Sequence, residues 1–358
     1  MFFKNKNKTS GIGIDIGTKA IRFVEISQNK NEFVLNNYGE VNLDLACRDF
    51  FRSFDKNNLN PDIENISKAI RALMLEAEVK KRRVSFSLPD FSTFFTTIEM
   101  PPMSEKEIEG AIGFEARKYI PLPLNEVVLD WQLMDKSSKK EANKILVMAV
   151  SKMVVGQYKE IAEKSEVELI SLEAEALSLK RSLMNGNNQE NACLVEIGYQ
   201  STNVSIVKNG YMIMSSTFDI AGKDITEAIS QGFNVTTEEA EKAKRKYGIL
   251  ENEEISLVEV VSPILSSIFE RIEQVMTSSE KKEDIIIPKI IFSGGTSLMP
   301  GMMDHFRDVF SGAGKKAEIE SGKPFQNIKH NPSLEQKMEE INANYAIALG
   351  EALRKFDQ

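Results

Sequence analysis

Apolar and polar residues alternate over residues 11–27 and again over 32–41, which predicts a pair of half-buried strands. A helical period follows over 63–78. Two short runs rich in β-branched and aromatic residues, 84–88 and 93–99, then precede a helix over 104–119. Ser104 and Glu107 open that helix as a capping box, Ile108, Ala111 and Ile112 share one face, and Pro121 and Pro123 stop it. Residues 127–134 and 145–150 read as strands around the polar loop 135–143, and 154–164 as a helix. Strand, strand, helix, strand, strand, helix over 84–164 predicts an inserted α+β module.

A strand at 167–172 and a helix at 173–184 follow. Asn185-Gly-Asn-Asn-Gln-Glu-Asn191 has linker composition and is taken as the domain boundary. Helices are predicted over 222–230 and over 236–247, the latter opened by Thr236 with Glu239 and ended by Gly248. A longer amphipathic helix over 257–279 carries Val260, Ile264, Ile268, Ile272 and Val275 on one side. A strand at 289–292 runs into Ser293-Gly294-Gly295-Thr296-Ser297, and 302–310 is helical.

One hairpin pattern occurs twice. Residues 13–26 and 194–207 each read as a β-branched strand, an acidic residue, a glycine-containing turn and a second alternating strand; the acidic residues Asp15 and Glu196 lie 196 − 15 = 181 positions apart. Such a repeat predicts a duplicated fold whose halves face each other across a cleft, each contributing a backbone-lined turn suited to an anion. The Gly294-Gly295 pair before a helix adds a third turn that backbone N–H groups can line closely. Three such turns could surround one nucleotide. Thr18, Lys19 and Thr202 would offer donors to its phosphates. Asp15 and Glu196 at the mouth would repel phosphate without a cation, so they suit a hydrated Mg²⁺ held partly through water; the alternative is hydrogen bonding to the turn backbone.

Composition narrows the class. A net charge of −8 argues against a dedicated nucleic-acid binder, and the Lys80-Lys81-Arg82-Arg83 run reads as solvated turn residues. Cys47 and Cys193 have no metal-ligand spacing and fit a reduced, intracellular compartment. The basic arm over residues 1–10 lacks the apolar stretch of a secretory signal, and no apolar run reaches the ~20 residues of a membrane helix. Membrane association would therefore run through another chain. His305 and His330 stand apart from any catalytic or zinc grouping.

Four segments together resemble the phosphate-1, phosphate-2, adenosine and terminal connecting motifs of the actin-like ATPase superfamily: Gly-Ile-Asp-Ile-Gly (13–17), Glu-Ile-Gly-Tyr-Gln-Ser-Thr (196–202), Ser-Gly-Gly-Thr-Ser-Leu-Met-Pro-Gly (293–301) and Tyr-Ala-Ile-Ala-Leu-Gly-Glu-Ala-Leu-Arg (345–354). Within it, Met-Pro-Pro-Met-Ser (100–104), Glu-Ala-Arg-Lys-Tyr-Ile-Pro-Leu-Pro (115–123), Glu-Val-Val-Leu-Asp (126–130), Ile-Ala-Gly-Lys-Asp-Ile-Thr (220–226) and Glu-Ala-Glu-Lys-Ala-Lys (239–244) are similar to the PilM family of type IV pilus assembly proteins.

The resemblance implies an α/β actin-like ATPase fold of two RNase H-like domains around a nucleotide cleft. The first core would comprise 1–83 and 165–190, joined by the C-terminal helix 342–358. An SHS2-like α+β subdomain would occupy 84–164, the second core 191–221 and 285–341, and a helical nucleotide-capping subdomain 222–284. ATP with Mg²⁺ would contact Gly17, Thr18, Lys19, Gly198, Thr202, Gly222, Gly294, Gly295 and Thr296, with Glu241 and Lys244 beside adenine and ribose and Asp15 and Glu196 toward the metal.

By the same resemblance the chain would dock the cytoplasmic N-terminal peptide of PilN. It would sit in the cytoplasm, peripheral to the inner membrane through partners that could include other platform proteins and motor ATPases; self-association is left open. Two features depart from the family. Glu196 stands where Asp is usual, and Tyr199 and Gln200 are not small. Glu173 or Glu175 could orient a water for hydrolysis, or both could be solvated helix N-terminal residues favoured by the helix dipole. Slow or absent hydrolysis is expected, hence an ATP-bound adaptor. The other readings are a small-molecule kinase, which would need a catalytic carboxylate beside an acceptor pocket, and an FtsA-like filament protein of cell division.

Overall fold

The computed structural model describes residues 10–30, 32–42, 52–55, 58–80, 82–134, 142–184, 189–250 and 256–357. Residues 1–9 of the basic arm, Cys47, Lys81, most of the loop 135–143 and Asn185 to Asn188 of the predicted linker lie outside them.

The chain opens with a meander, β1 (Ser10–Ile16), β2 (Ala20–Asn29) and β3 (Glu32–Asn42). A short hairpin, β4 (Arg52–Asp55) and β5 (Asn58–Pro61), leads to α1 (Ile63–Glu76), which Asp62 caps by accepting the Asn65 N–H at 3.1 Å. Then come β6 (Arg83–Leu88), β7 (Thr93–Met100), α2 (Glu105–Ala116), β8 (Val127–Leu133), β9 (Asn143–Ser151), α3 (Lys152–Lys164), β10 (Glu168–Ala174) and α4 (Glu175–Leu183). The second half contains β11 (Ala192–Ile197), β12 (Thr202–Lys208), β13 (Tyr211–Phe218), α5 (Gly222–Phe233), α6 (Thr237–Tyr247), α7 (Val258–Glu283), β14 (Lys289–Ser293), α8 (Met302–Gly312) and β15 (Glu318–Ser321). β16 (Ile328–Lys329), α9 (Glu335–Ile341) and α10 (Ala346–Leu353) follow.

The duplication inferred from the two hairpins extends to whole sheets. The first sheet has the order β10-β6-β1-β2-β3-β16 and the second β13-β12-β11-β14-β15. In both, a three-stranded antiparallel meander continues into two parallel strands. Even the register repeats: Ile16 faces Ile21 at the end of the first hairpin and Ile197 faces Thr202 in the second, with 197 − 16 = 202 − 21 = 181. Strands covered on both faces must be apolar throughout, and β14 accordingly buries Ile290, Ile291 and Phe292 in succession.

Between these lobes, β7, β9 and β8 form a separate antiparallel sheet. The Ser104–Glu107 capping box opens α2 as expected, and Ile108, Ile112 and Ala116 pack on Ile98, Ile145 and Val147 of that sheet. Its other side brings Phe95 and Met148 to the second lobe's core, where the Thr97 hydroxyl donates to the Ile213 carbonyl at 3.3 Å.

Several boundaries differ from the sequence reading. β6 lies between β1 and β10, and Val154, Tyr158 and Ile161 of α3 enter the first lobe's core, so the module with its own core is narrower than 84–164. Likewise Phe325, Ile328 and Met338, assigned to the second core, pack with Val24 and Ile26 of the first, and β16 pairs with β3. On α7 the buried stripe is Val261, Leu265, Ile268, Ile272 and Met276, with Val260, Ile264 and Val275 at its margin. Each difference follows from packing between segments distant in sequence, to which a local period is blind.

Candidate functional site: the interlobe cleft

A cleft of about 340 Å³ opens between the lobes, within the range of small-ligand sites. Its walls are the turns predicted from the repeat. Gly17 N–H donates to the Ala20 carbonyl at 2.9 Å, and Gly198 N–H to the Ser201 carbonyl at 3.0 Å, the same turn bond displaced by 181 residues (198 − 17 = 201 − 20). The third turn, after β14, supplies Gly294, Gly295 and Thr296. Gly294 holds φ 87° and ψ 159°, a region essentially confined to glycine. A Cβ there would stand 2.5 Å from the Ile197 carbonyl oxygen and 2.6 Å from Glu196 Oε1.

The turns are also tied to one another. The Gly198 carbonyl accepts the Thr296 hydroxyl at 2.7 Å and the Gly222 N–H at 3.1 Å. Gly222 itself lies behind the lining: a Cβ on it would meet Thr296 Oγ1 at 2.3 Å, so its absence of a side chain lets α5 approach the third turn. Thr202 also leaves the set expected to line the cleft. It is fully buried and donates to the Ile220 carbonyl at 2.7 Å, because the register that aligns it with Ile21 turns it into the second lobe.

Asp15 and Glu196 both line the cleft. The Ser87 hydroxyl donates to Asp15 Oδ1 at 3.0 Å, and the Asn203 amide to Glu196 Oε2 at 3.2 Å. Among the described residues no group of three or more His, Cys, Asp or Glu could hold a metal. Two oriented carboxylates fit Mg²⁺, which keeps several waters and shares phosphate oxygens rather than occupying an all-protein cage. Arg22 and Glu40, also in the lining, stand beside Asp15 across three strands, with Arg22 Nε 2.6 Å from Glu40 Oε2. No periodicity marks Ser87, Asn203 or Arg22; cross-strand register brings them in.

Of the two candidate glutamates, only Glu175 lines the cleft, almost fully buried at the start of α4. Glu173 belongs to β10 rather than to the helix and forms ion pairs with Arg181 and Arg354 outside the cleft. The strand outlasts the sequence boundary by two residues because Glu173 and Ala174 still pair with Ser87 and Leu88. Asp90 then caps α4, accepting the Ala176 N–H at 3.1 Å, and accepts the Ser215 hydroxyl of the second lobe at 2.8 Å.

At the opposite wall, the Thr236–Glu239 capping box starts α6 as expected, which brings Glu241 and Lys244 to the cleft one turn apart. The Lys244 ammonium lies 2.6 Å from Glu241 Oε2, and the Thr226 hydroxyl donates to the same oxygen at 2.7 Å. Burial pushes the Glu241 carboxyl up, but Lys244, Arg245 and Thr226 outweigh it and hold it at about 2. Burial draws the Lys244 ammonium down, against the pull of Glu241 and with that of Lys19.

Two lobes of one sheet order, meeting at a cleft walled by two matching hairpin turns and a third glycine turn, define an actin-like protein. Among solved structures, the "PilM-PilN type IV pilus biogenesis complex" is similar with a TM-score of 0.81 and 23% identity over 98% of this chain and 100% of that one. MreB5 of Spiroplasma citri bound to AMPPNP is similar with a TM-score of 0.55 and 13% identity over 97% of this chain and 96% of that one. The sequence model of the type IV pilus assembly protein PilM matches residues 13–356, and the chain belongs to that family.

Cell division protein FtsA of Staphylococcus epidermidis is 23% identical over 261 residues, 66% of this chain and 54% of that protein. The chain thus spans about half the length of the curated relatives it matches. No described helix is long and apolar enough to cross a membrane.

Proposed function

We propose that this protein is a nucleotide-binding scaffold of a type IV pilus assembly platform. ATP with Mg²⁺ occupies the interlobe cleft, the protein docks the cytoplasmic N-terminal peptide of PilN at the inner membrane, and the nucleotide shifts the lobe arrangement that the peptide binds. Membership of the PilM family and likeness to a solved PilM-PilN complex support the partner. The observation that carries the nucleotide is the pair of glycine turns closed by the same hydrogen bond, 181 residues apart, that face one cleft from two lobes. Backbone N–H groups, the Thr18 hydroxyl and the Lys19 ammonium would hold the phosphates, Asp15 and Glu196 would orient hydrated Mg²⁺, and the metal would neutralise phosphate charge.

Glu175 is the remaining candidate for orienting an attacking water. With a single buried carboxylate in that role and a longer Glu196 at the metal, turnover is slow or absent. Equilibrium binding of a fluorescent ATP analogue tests the reading. Binding should require Mg²⁺, be displaced by ATP and weaken at least tenfold in Lys19→Met, since a charge-assisted contact to phosphate is worth about 1.5–3 kcal/mol. Failure of the folded protein to bind any adenine nucleotide would sink it.

A further inference from the structure

Thr18 and Tyr199 occupy matching places in the two turns (199 − 18 = 181), one a small hydroxyl and the other an aromatic ring. The ring joins the lobes. The Lys19 ammonium of the first lobe stands 4.2 Å from its centroid, and the Lys244 ammonium of α6 5.8 Å from it.

The Lys244 ammonium is held by groups of its own lobe. A lysine ammonium has three N–H donors, and those of Lys244 go to the Gly222 carbonyl at 3.0 Å, the Thr226 hydroxyl at 2.8 Å and Glu241 at 2.6 Å. Lys244 is thereby fixed within the second lobe and cannot turn to a phosphate without breaking that set. Lys19 lies on the turn between β1 and β2, nearer the ring. An aromatic face is electron-rich and attracts a cation, more strongly where water is partly excluded.

We propose that Tyr199 is a positioning residue for Lys19. Its ring holds the ammonium at the junction of the two glycine turns, where the outer phosphates of a nucleotide run, so that the cleft selects di- and triphosphates over monophosphates. The inference rests on the nucleotide reading above and adds to it the source of phosphate-length selectivity.

Competition binding of AMP, ADP and ATP to the full chain tests it, using wild type, Tyr199→Phe, Tyr199→Leu, Lys19→Met and the double variant Lys19→Met/Tyr199→Leu. Tyr199→Leu should weaken ATP and ADP about three- to tenfold, the range of a half-buried cation–π contact, and leave AMP within about twofold. Tyr199→Phe, which keeps the ring face, should match wild type within about twofold. In the Lys19→Met background, Tyr199→Leu should cost ATP nothing further. Equal losses for AMP and ATP, a Phe variant as weak as the Leu variant, unchanged or tighter ATP binding by Tyr199→Leu, or additive losses in the double variant would each overturn the proposal while wild-type binding upholds the nucleotide reading. A folded wild type that binds no nucleotide would overturn both.

Discussion

Replacing Gly294 by alanine places one methyl group against a rigid part of the site. The new Cβ would lie 2.5 Å from the Ile197 carbonyl oxygen and 2.8 Å from its carbon, both backbone atoms at the end of β11. They cannot yield without moving the strand that carries Glu196. Overpacking of this kind costs about 1–3 kcal/mol. The backbone adds its own term, since φ 87° with ψ 159° is open to glycine and strains any L-residue by about 1–3 kcal/mol. Together Gly294→Ala should lose about 2–6 kcal/mol and, at about 2–4 °C per kcal/mol, lower the melting temperature by about 4–24 °C.

Gly295→Ala is the internal control. Its Cβ would meet only the Asn344 side-chain oxygen, at 2.9 Å, which can rotate aside, and its backbone needs no positive φ. Its loss should stay below about 1 kcal/mol. Thermal unfolding of both variants, with ATP binding measured beside it, reads the difference. Gly294→Ala should lose nucleotide affinity because the displaced methyl also lies 2.6 Å from Glu196 Oε1. A Gly294→Ala protein as stable as wild type, or a Gly295→Ala protein equally damaged, would refute the reasoning.

The cleft and the lobe junction also titrate in opposite senses. Glu241 is depressed from 4.5 to about 2, so its contribution to stability is present above pH ~4.5 and disappears as pH falls toward ~2; Glu241→Gln should flatten that acid limb. The same variant leaves Lys244 buried without its carboxylate and should cost about 2–3 kcal/mol at neutral pH, read by denaturant unfolding, less than a deeply buried pair because Glu241 retains some solvent contact. At the junction of α4 and α10, burial and the neighbouring Glu173 raise Glu351 well above the ordinary carboxylate range, and its Oε1 accepts the Ser178 hydroxyl at 2.6 Å. Its contribution is therefore full below the unfolded value and lost as pH rises, so Glu351→Gln should reduce the fall in melting temperature between pH 5 and 9; an unchanged slope would count against a protonated Glu351.

Chemistry written in contiguous residues was legible from the sequence. The glycine turns, the two capping boxes and the Gly248 stop of α6 are local devices, and the 181-residue offset carried over into register and sheet order. What escaped was set by partners far along the chain. Glu173 reads as a helix start, yet pairing with β6 keeps it in a strand and Arg181 and Arg354 hold it outside the cleft. Thr202 carries the hydroxyl suited to a phosphate, but register buries it. Ser87, Asn203 and Asp90 reach the site or its supporting helix only through sheet pairing and interlobe contact, which no local pattern encodes. Tyr199 stood out in the sequence as a departure from small residues, and only the folded chain shows Lys19 beside its ring.

Calorimetric titration with a synthetic peptide of the PilN cytoplasmic N-terminus, in the presence and absence of Mg-ATP, tests the central claim most directly. The account predicts saturable one-to-one binding whose affinity changes when Mg-ATP is present, with the reciprocal change in ATP affinity when the peptide is bound. No detectable peptide binding in either condition, or an affinity indifferent to saturating Mg-ATP, would contradict it.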